Sequence, residues 1–484
     1  MILVTFVILS CSLFFTNNLT YPTHAFFSLF LSFPILLVWI WWHKKVSPRL
    51  EVWTKKQEVI FLCIYFLCFF LIQFFLFQEL KVTPGWDFGE LYRSALSYVN
   101  QEPIKFVAYF EYCPNNIFIY LCYIVLFKIA RFFGITNLLN LLGVCNIFLI
   151  GFSIFLLFLV AKKLFSKRAS YTLLFLILFF SPIFLYVPII YTDTVSMFVP
   201  ILLLYLFLQL QDASLKKQWI WIILFAIVAF VGYKLKMSCL IIVIALLIHM
   251  ILTKKILLFS KITGVLLVSF FSFSFLFQHL ILEDEKFHFQ DNGVGELPFT
   301  HYIMMGLEDP DADHSMRRTY GGFEGADLDY TKALDPSKRK DAHIQEIKRR
   351  LHAYTPLELL TYYGNKISNT WGDGTYFAPM KISQLPVKQS FLHSYFLVDG
   401  THFQLYLYFA QGVQYAFLIL LFLSSILKRD DTSNIYLYLS IFGLFLFLLI
   451  WETRSRYLVN YIPIFLLSIV PTLDFIAKKF NKKI

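Results

Sequence analysis

Four short polar stretches interrupt this chain, and their residue types suit acid–base and phosphate chemistry. TPGWDFGELYRSA (83–95) carries Asp87 and Glu90, with Tyr92 beside them. YTDT (191–194) carries Asp193, and GYKLKMS (232–238) carries Lys234 and Lys236. WETRSRY (451–457) carries Glu452, Arg454, Arg456 and Tyr457. A carboxylate can take a proton from a hydroxyl. Lys and Arg can hold a phosphate and neutralise one that leaves. Singly, each stretch reads as an interfacial anchor, because only charges inside the bilayer default to function. Gathered on one membrane face, they suit transfer from a lipid phosphate.

The elements that must gather them are membrane helices. Of 484 residues, 58% are hydrophobic and only 15% are charged, against about a quarter charged in a soluble domain. The 57 Phe and 28 Tyr suit lipid-facing helices and interfacial belts. The seven Cys form no CxxC pair, which argues against a disulfide framework or a zinc site. The net charge of +11 sits in short loops and reads as topology, not as a nucleic-acid surface. MILVTFVILSCSLFF lacks a basic n-region and a small-residue cleavage site, so it is expected to stay as a first span. ILSC is a poor lipidation box for Cys11.

A span needs about 20 apolar residues. Candidates are 2–16, 24–42, 59–79, 117–134, 138–161, 169–190, 195–210, 219–233, 238–252, 260–282, 406–427, 434–450 and 457–476. By the positive-inside rule, HKKVSPRLEVWTKK (43–56), AKKLFSKR (161–168), LKK (215–217), TKK (253–255), KRDD (428–431) and AKKFNKK (477–483) are cytoplasmic. These agree only if one stretch between Asp87 and Lys162 does not cross. NIFIYLCYIVLFKIARFFG (116–134), with Lys128 and Arg131 and after the turn-like CPNN, is expected to lie on the outer leaflet. About twelve spans remain, and both termini are cytoplasmic. All four polar stretches then face outward at a plasma membrane.

Three regions result: a transmembrane module 1–282 with a first external loop at 80–137, an extracellular segment 283–405, and a transmembrane module 406–484. The middle segment holds more than half of the acids but under a third of the Lys and Arg. Its length exceeds an ordinary loop, so it is expected to fold as a small α-rich domain or lid. HIQEIKRRLHAY (343–354) reads as one helix, and TPLELLTYYGNKI (355–367) as another starting at Thr355–Pro356.

These motifs together resemble the GT-C glycosyltransferases, integral membrane enzymes that use polyprenyl-phosphate sugars. GWDFGELYRSA stands where that superfamily keeps an Asp in its first external loop, and YCPNNIFIYLCY resembles the Pro-rich turn and juxtamembrane helix that follow. SPIFLYVPIIYTDT, VGYKLKMS and ETRSRY resemble the later acid, lysine and arginine motifs. The resemblance covers about 59–282 and 406–476. HYIMMGLEDPDADHSMRRTYGGFEGADLDYT and KISNTWGDGTYFAP further resemble the external loop of Gram-positive members that decorate wall polysaccharides or teichoic acids.

The resemblance implies an all-α GT-C-like fold and an inverting transfer to a cell-envelope glycan. It implies Asp87 as general base and Asp193 as a second acid. Lys236 or Lys234, with Arg454 and Arg456, would contact the donor phosphate. Glu452, Tyr457, Glu90 and Tyr92 remain as substrate contacts. Glu90 has no family counterpart and reads as a helix N-terminal acid. No cofactor is required, because cations can neutralise the released monoester. Asp87 and Asp193 could instead share a divalent ion, as in the oligosaccharyltransferase branch. A cytoplasmic enzyme that charges the lipid and a flippase are implied as pathway partners.

The rivals are a ligase or polymerase with a diphosphate-linked donor, a lipid or glycan transporter, and a non-catalytic scaffold. A transporter would need inverted repeats and broken midplane helices, and neither is visible in the sequence. EDPDADH (308–314) fails as a calcium loop, because His314 stands where glycine is needed and Tyr320 where Glu is needed. GGFEG (321–325) follows no strand and is too short for a nucleotide fingerprint.

Overall fold

The computed structural model describes residues 1–16, 19–104, 106–282, 295–312, 319–427 and 433–481. These residues are mainly helical, with no strand and one isolated bridge, Val82 to Pro386. Nine helices among them are long and apolar enough to cross a membrane. Ile2–Phe14, Met237–Leu252 and Ile435–Ile450 are apolar but shorter. The expected span 169–190 is not one helix. It is Lys167–Leu176, a 3-10 turn Ile177–Phe179 and a short helix Pro182–Leu185. Pro182 and Pro188 each remove a backbone donor, which breaks the continuous ladder a single helix would need. Length and composition therefore give nine spans where about twelve were expected.

Ion pairs and hydrogen bonds sort the loops to two ends of the bundle. Lys55–Leu80 starts at a capping box in which Thr54 and Gln57 bond reciprocally. Near this start Glu58 pairs with Lys162 at 2.5 Å and Lys167 at 3.2 Å. His43 bonds Asp474 at 2.9 Å, Arg168 reaches the His43 carbonyl, and Lys163 pairs with Asp212. All of these lie in or beside the basic loops expected to be cytoplasmic. Lys55–Leu80 has 26 residues, which puts its other end about 39 Å away at ~1.5 Å rise per residue. There Lys81 bonds Asn140, at the start of the antiparallel helix Leu138–Leu164. KRDD (428–431) lies outside the described residues.

The same sorting decides the path of Ile117–Phe132. Its first turn adjoins Asn116, which bonds Tyr109 and Tyr191 at the Asp87 end. Its last turn is followed within a few residues by Leu138–Leu164, which starts at that same end. Although Pro114–Phe132 is long and apolar enough to cross, it begins and ends on one side. It packs alongside Trp86–Val99 in the same direction. Tyr92 meets Phe127 edge-on, Lys128 lies over Tyr98, and Arg131 reaches the Val99 carbonyl and Asn100.

The extramembrane segment divides. Arg339–Ala353 and Pro356–Trp371 are helices, and the second starts at a Thr355–Glu358 capping box. Leu307, Tyr354 and Tyr362 form a small separate cluster, held by the buried Arg350–Asp327 pair. Trp371, Tyr376, Ala378, Ile382 and Phe403 instead join the main bundle core. The segment also clasps the loop that follows Lys55–Leu80: Thr83 N–H bonds the Leu385 carbonyl and Val387 N–H the Lys81 carbonyl, both at 2.9 Å.

Candidate active site at one end of the bundle

Asp87 lies in the first turn of Trp86–Val99, the first helix after the chain leaves Lys55–Leu80. Helix N-terminal N–H groups favour a carboxylate there. Asp87 therefore takes the place expected for Glu90, which sits a turn further on. Asp87 is half-buried and accepts a hydrogen bond from Tyr109 at 3.0 Å. Asn116 donates to Tyr109 at 2.5 Å, and Tyr191 donates to Asn116 at 3.2 Å. This relay ties the Asp87 helix to the YTDT turn. Burial pushes the Tyr109 hydroxyl well up, so it stays a donor to the carboxylate. The backbone of Trp86 is left-handed at φ 43°, a conformation costing about 1–2 kcal/mol in a non-glycine residue.

Asp193, with its side chain 2% exposed, forms an ion pair with Lys236 and lies 3.6 Å from Arg456. Arg456 stands over the rings of Trp86, Tyr191 and Tyr457. Tyr457 donates to Glu452 at 2.9 Å, and Lys236 lies over the Tyr457 ring. Burial pushes the Glu452 carboxyl up, against the pull of Arg456 and Arg454. Three of the four sequence stretches thus meet, and the fourth, TPGWDFGE, reaches them through Trp86 and the Tyr109 relay.

The structure also separates residues that the sequence left together. Lys236 faces Asp193, whereas Lys234 is packed among Phe230, Tyr233 and Phe277, 4.3 Å from the last ring centroid. Lys234 is therefore outside the cluster. Glu90 pairs with Arg93 at 3.1 Å, and burial pushes its carboxyl up. Tyr92 packs between Phe88 and Phe127 and is not drawn into the cluster.

Lys381 is the residue that sequence reasoning missed. It lies in Ala378–Ile382 with its ammonium 3.7 Å from the centroid of the Trp86 ring. Burial, then the neighbouring Arg456, pulls it down to about 7, while Asp87 and Asp193 oppose the shift. No carboxylate pairs with it among the described residues. Its signal was present in WGDGTYFAPMK (371–381), but a lone lysine in a polar segment looks like any surface lysine.

WETRSRY is held in place by the extramembrane segment. Glu452 N–H bonds the Tyr302 carbonyl at 2.8 Å and Thr453 N–H the Gly321 carbonyl at 2.7 Å. Lys366 donates to the carbonyls of Gly306 and Trp451 at 2.5 and 2.9 Å. Its burial pulls it down to about 7. Arg454 reaches the Thr319 carbonyl at 3.4 Å and covers the Phe377 ring.

Asp193 already faces two cations and Asp87 faces a phenol. No group of three or more His, Cys, Asp or Glu side chains that could hold a metal occurs among the described residues.

Residues 1–474 match the family model described as conserved hypothetical integral membrane protein. The chain belongs to that family. It is thus an integral membrane protein whose apolar helices cross more than once, as the two ends of the bundle also require. No curated protein matches it. Among solved structures it is similar to ArnT from Cupriavidus metallidurans, a structure bound to undecaprenyl phosphate. That match has 13% identity, covers 87% of this chain and 79% of that chain, and has a TM-score of 0.38. At that score the likeness carries no argument about fold or activity.

Proposed function

We propose that this protein is an inverting GT-C-type glycosyltransferase. It moves a sugar from a polyprenyl-phosphate carrier to a hydroxyl of a cell-envelope glycan at the outer membrane face. Asp87 takes the acceptor proton as the oxygen attacks the anomeric carbon. The bond from that carbon to phosphate oxygen breaks, and the carrier leaves as a phosphate monoester. Its growing charge meets Lys381, Arg454 and Arg456, while the Lys236–Asp193 pair fixes the wall behind Arg456. Cations preplaced where charge develops stabilise the transition state more than the ground state. No step uses a metal ion.

The observation that carries this reading is the pairing of an acid with under-matched cations. Asp87 is held by a neutral phenol, and near it stand Lys381, with no carboxylate ion pair among the described residues, and Arg456, 3.6 Å from Asp193. Such a site is built for an anion beside a base. The likeness of the sequence motifs to the superfamily names the anion as a polyprenyl phosphate.

The test is an assay of the purified protein in detergent with labelled undecaprenyl-phosphate hexoses and, in parallel, undecaprenyl-diphosphate-linked sugars. Release of undecaprenyl phosphate with transfer of label supports the reading. Turnover of only the diphosphate donors makes the protein a ligase or polymerase. Movement of intact sugar-lipid across vesicles without cleavage makes it a transporter.

A further inference from the structure

Asp373 is 4% exposed and makes four hydrogen bonds that divide between its two oxygens. Oδ1 accepts from Thr375 N–H at 2.9 Å and from Thr375 Oγ1 at 2.6 Å. That is the local turn an Asp makes with its own backbone. Oδ2 serves partners further off. It accepts from Phe377 N–H at 3.0 Å and from Ser455 Oγ at 2.6 Å. Phe377 caps the short helix that carries Lys381, and Ser455 lies between Arg454 and Arg456. One carboxylate oxygen therefore joins the two elements that supply Lys381, Arg454 and Arg456.

The turn itself is fixed to the membrane bundle. Gln411 of Phe403–Leu427 donates to the Gly372 carbonyl at 2.5 Å and accepts from Gly374 N–H at 3.2 Å. Gln414 donates to the Trp371 carbonyl at 2.6 Å and accepts from Tyr376 at 3.1 Å. Gly374 lies so close to the Ala410 carbonyl that any side chain would overlap the backbone there. Asp373 thus sits on a turn anchored to the membrane bundle.

We infer that Asp373 is a positioning residue that sets the spacing of Lys381 from Arg454 and Arg456, so that the extramembrane segment completes an anion site on the membrane bundle. The inference rests on the proposed reading of those cations as a phosphate site. Its mechanical part stands apart from that reading. An Asn at 373 has one acceptor oxygen. If that oxygen keeps the local turn, the amide nitrogen faces two donors, Phe377 N–H and Ser455 Oγ–H, and the link opens.

The experiment uses the full chain in detergent, comparing wild type, Asp373→Asn and Ser455→Ala by hydrogen exchange and by binding of undecaprenyl phosphate against undecaprenol. Expected for Asp373→Asn is at least tenfold faster exchange in the peptides spanning 377–382 and 453–457 together, with undecaprenyl phosphate bound at least tenfold more weakly and undecaprenol unchanged. Ser455→Ala, which removes only the link, gives the same pattern at smaller size and decides the matter if Asp373→Asn does not fold. Faster exchange confined to 373–377, or equal loss of both lipids, overturns the inference. A wild type that shows no preference for the phosphate refutes the donor reading, and the exchange pattern alone then decides the role of Asp373.

Discussion

The ammonium of Lys381 lies 3.7 Å from the centre of the Trp86 ring, and Trp86 is the residue before Asp87. A cation from the extramembrane segment is therefore held against the start of the helix that carries Asp87. This contact joins positions almost 300 residues apart in the chain.

The pH dependence follows from that contact. Burial and Arg456 pull Lys381 down to about 7, so the ammonium is lost as pH rises through neutrality. Affinity for undecaprenyl phosphate falls between pH 6 and 9 in the wild type. A bound anion favours the ammonium and moves the midpoint upward from 7. In Lys381→Arg the side chain stays charged and the fall in affinity above pH 7 disappears. Binding measured across that range by scintillation proximity checks both curves.

Stability should move the other way with pH. Lys366 and Lys381 both titrate near 7 when folded, well below their ordinary value of 10.5. Between about 7 and 10.5 the unfolded chain binds more protons than the folded one, so stability rises with pH in that window. Below about 7 both forms are protonated and the burial cost is present in full. The expected outcome is a Tm in detergent that increases from pH 7 towards pH 9.5, with a smaller increase in Lys366→Met.

Asp87→Asn should leave Tm nearly unchanged and lower transfer about 10²–10⁴-fold, the usual contribution of a general base. Tyr109→Phe removes one hydrogen bond to that base, worth about 1 kcal/mol, and should cost about fivefold in rate. A Tyr109→Phe enzyme as slow as Asp87→Asn would move the base role to the phenol.

The two lysines of GYKLKMS should differ sharply. Lys236→Met leaves the buried Asp193 with only Arg456 at 3.6 Å. Breaking such a pair costs about 3–5 kcal/mol. The double variant Lys236→Met/Asp193→Asn should regain most of the lost Tm, because no uncompensated charge remains. Lys234→Met touches only rings and should bind undecaprenyl phosphate like the wild type. Thermal unfolding and lipid binding of the four proteins settle the comparison.

Much of this was legible because it is local. Apolar length, basic loops and a Thr-x-x-Glu capping box act over a few residues, so the sequence alone marked the helices and their sorting to two ends. It also marked Thr355–Pro356 as a helix start. It singled out Asp87, Asp193, Arg454 and Arg456 by type, and the structure places all four at one end of the bundle. The break of 169–190 was missed because apolar composition outweighed Pro182 and Pro188.

Only the tertiary structure decided which cation faces which acid. Lys234 and Lys236 are two residues apart and chemically alike, and they part because the chain leaves its helix between them, with Leu235 as the last helical residue. Lys381 and Asp373 lie in a segment whose composition reads as soluble, and they matter because it docks on the bundle. Charge type is written in each residue, but partnership depends on packing between distant segments. The sequence by itself therefore determined the chemistry available at one end of the bundle, and the fold decided which of those groups share a site.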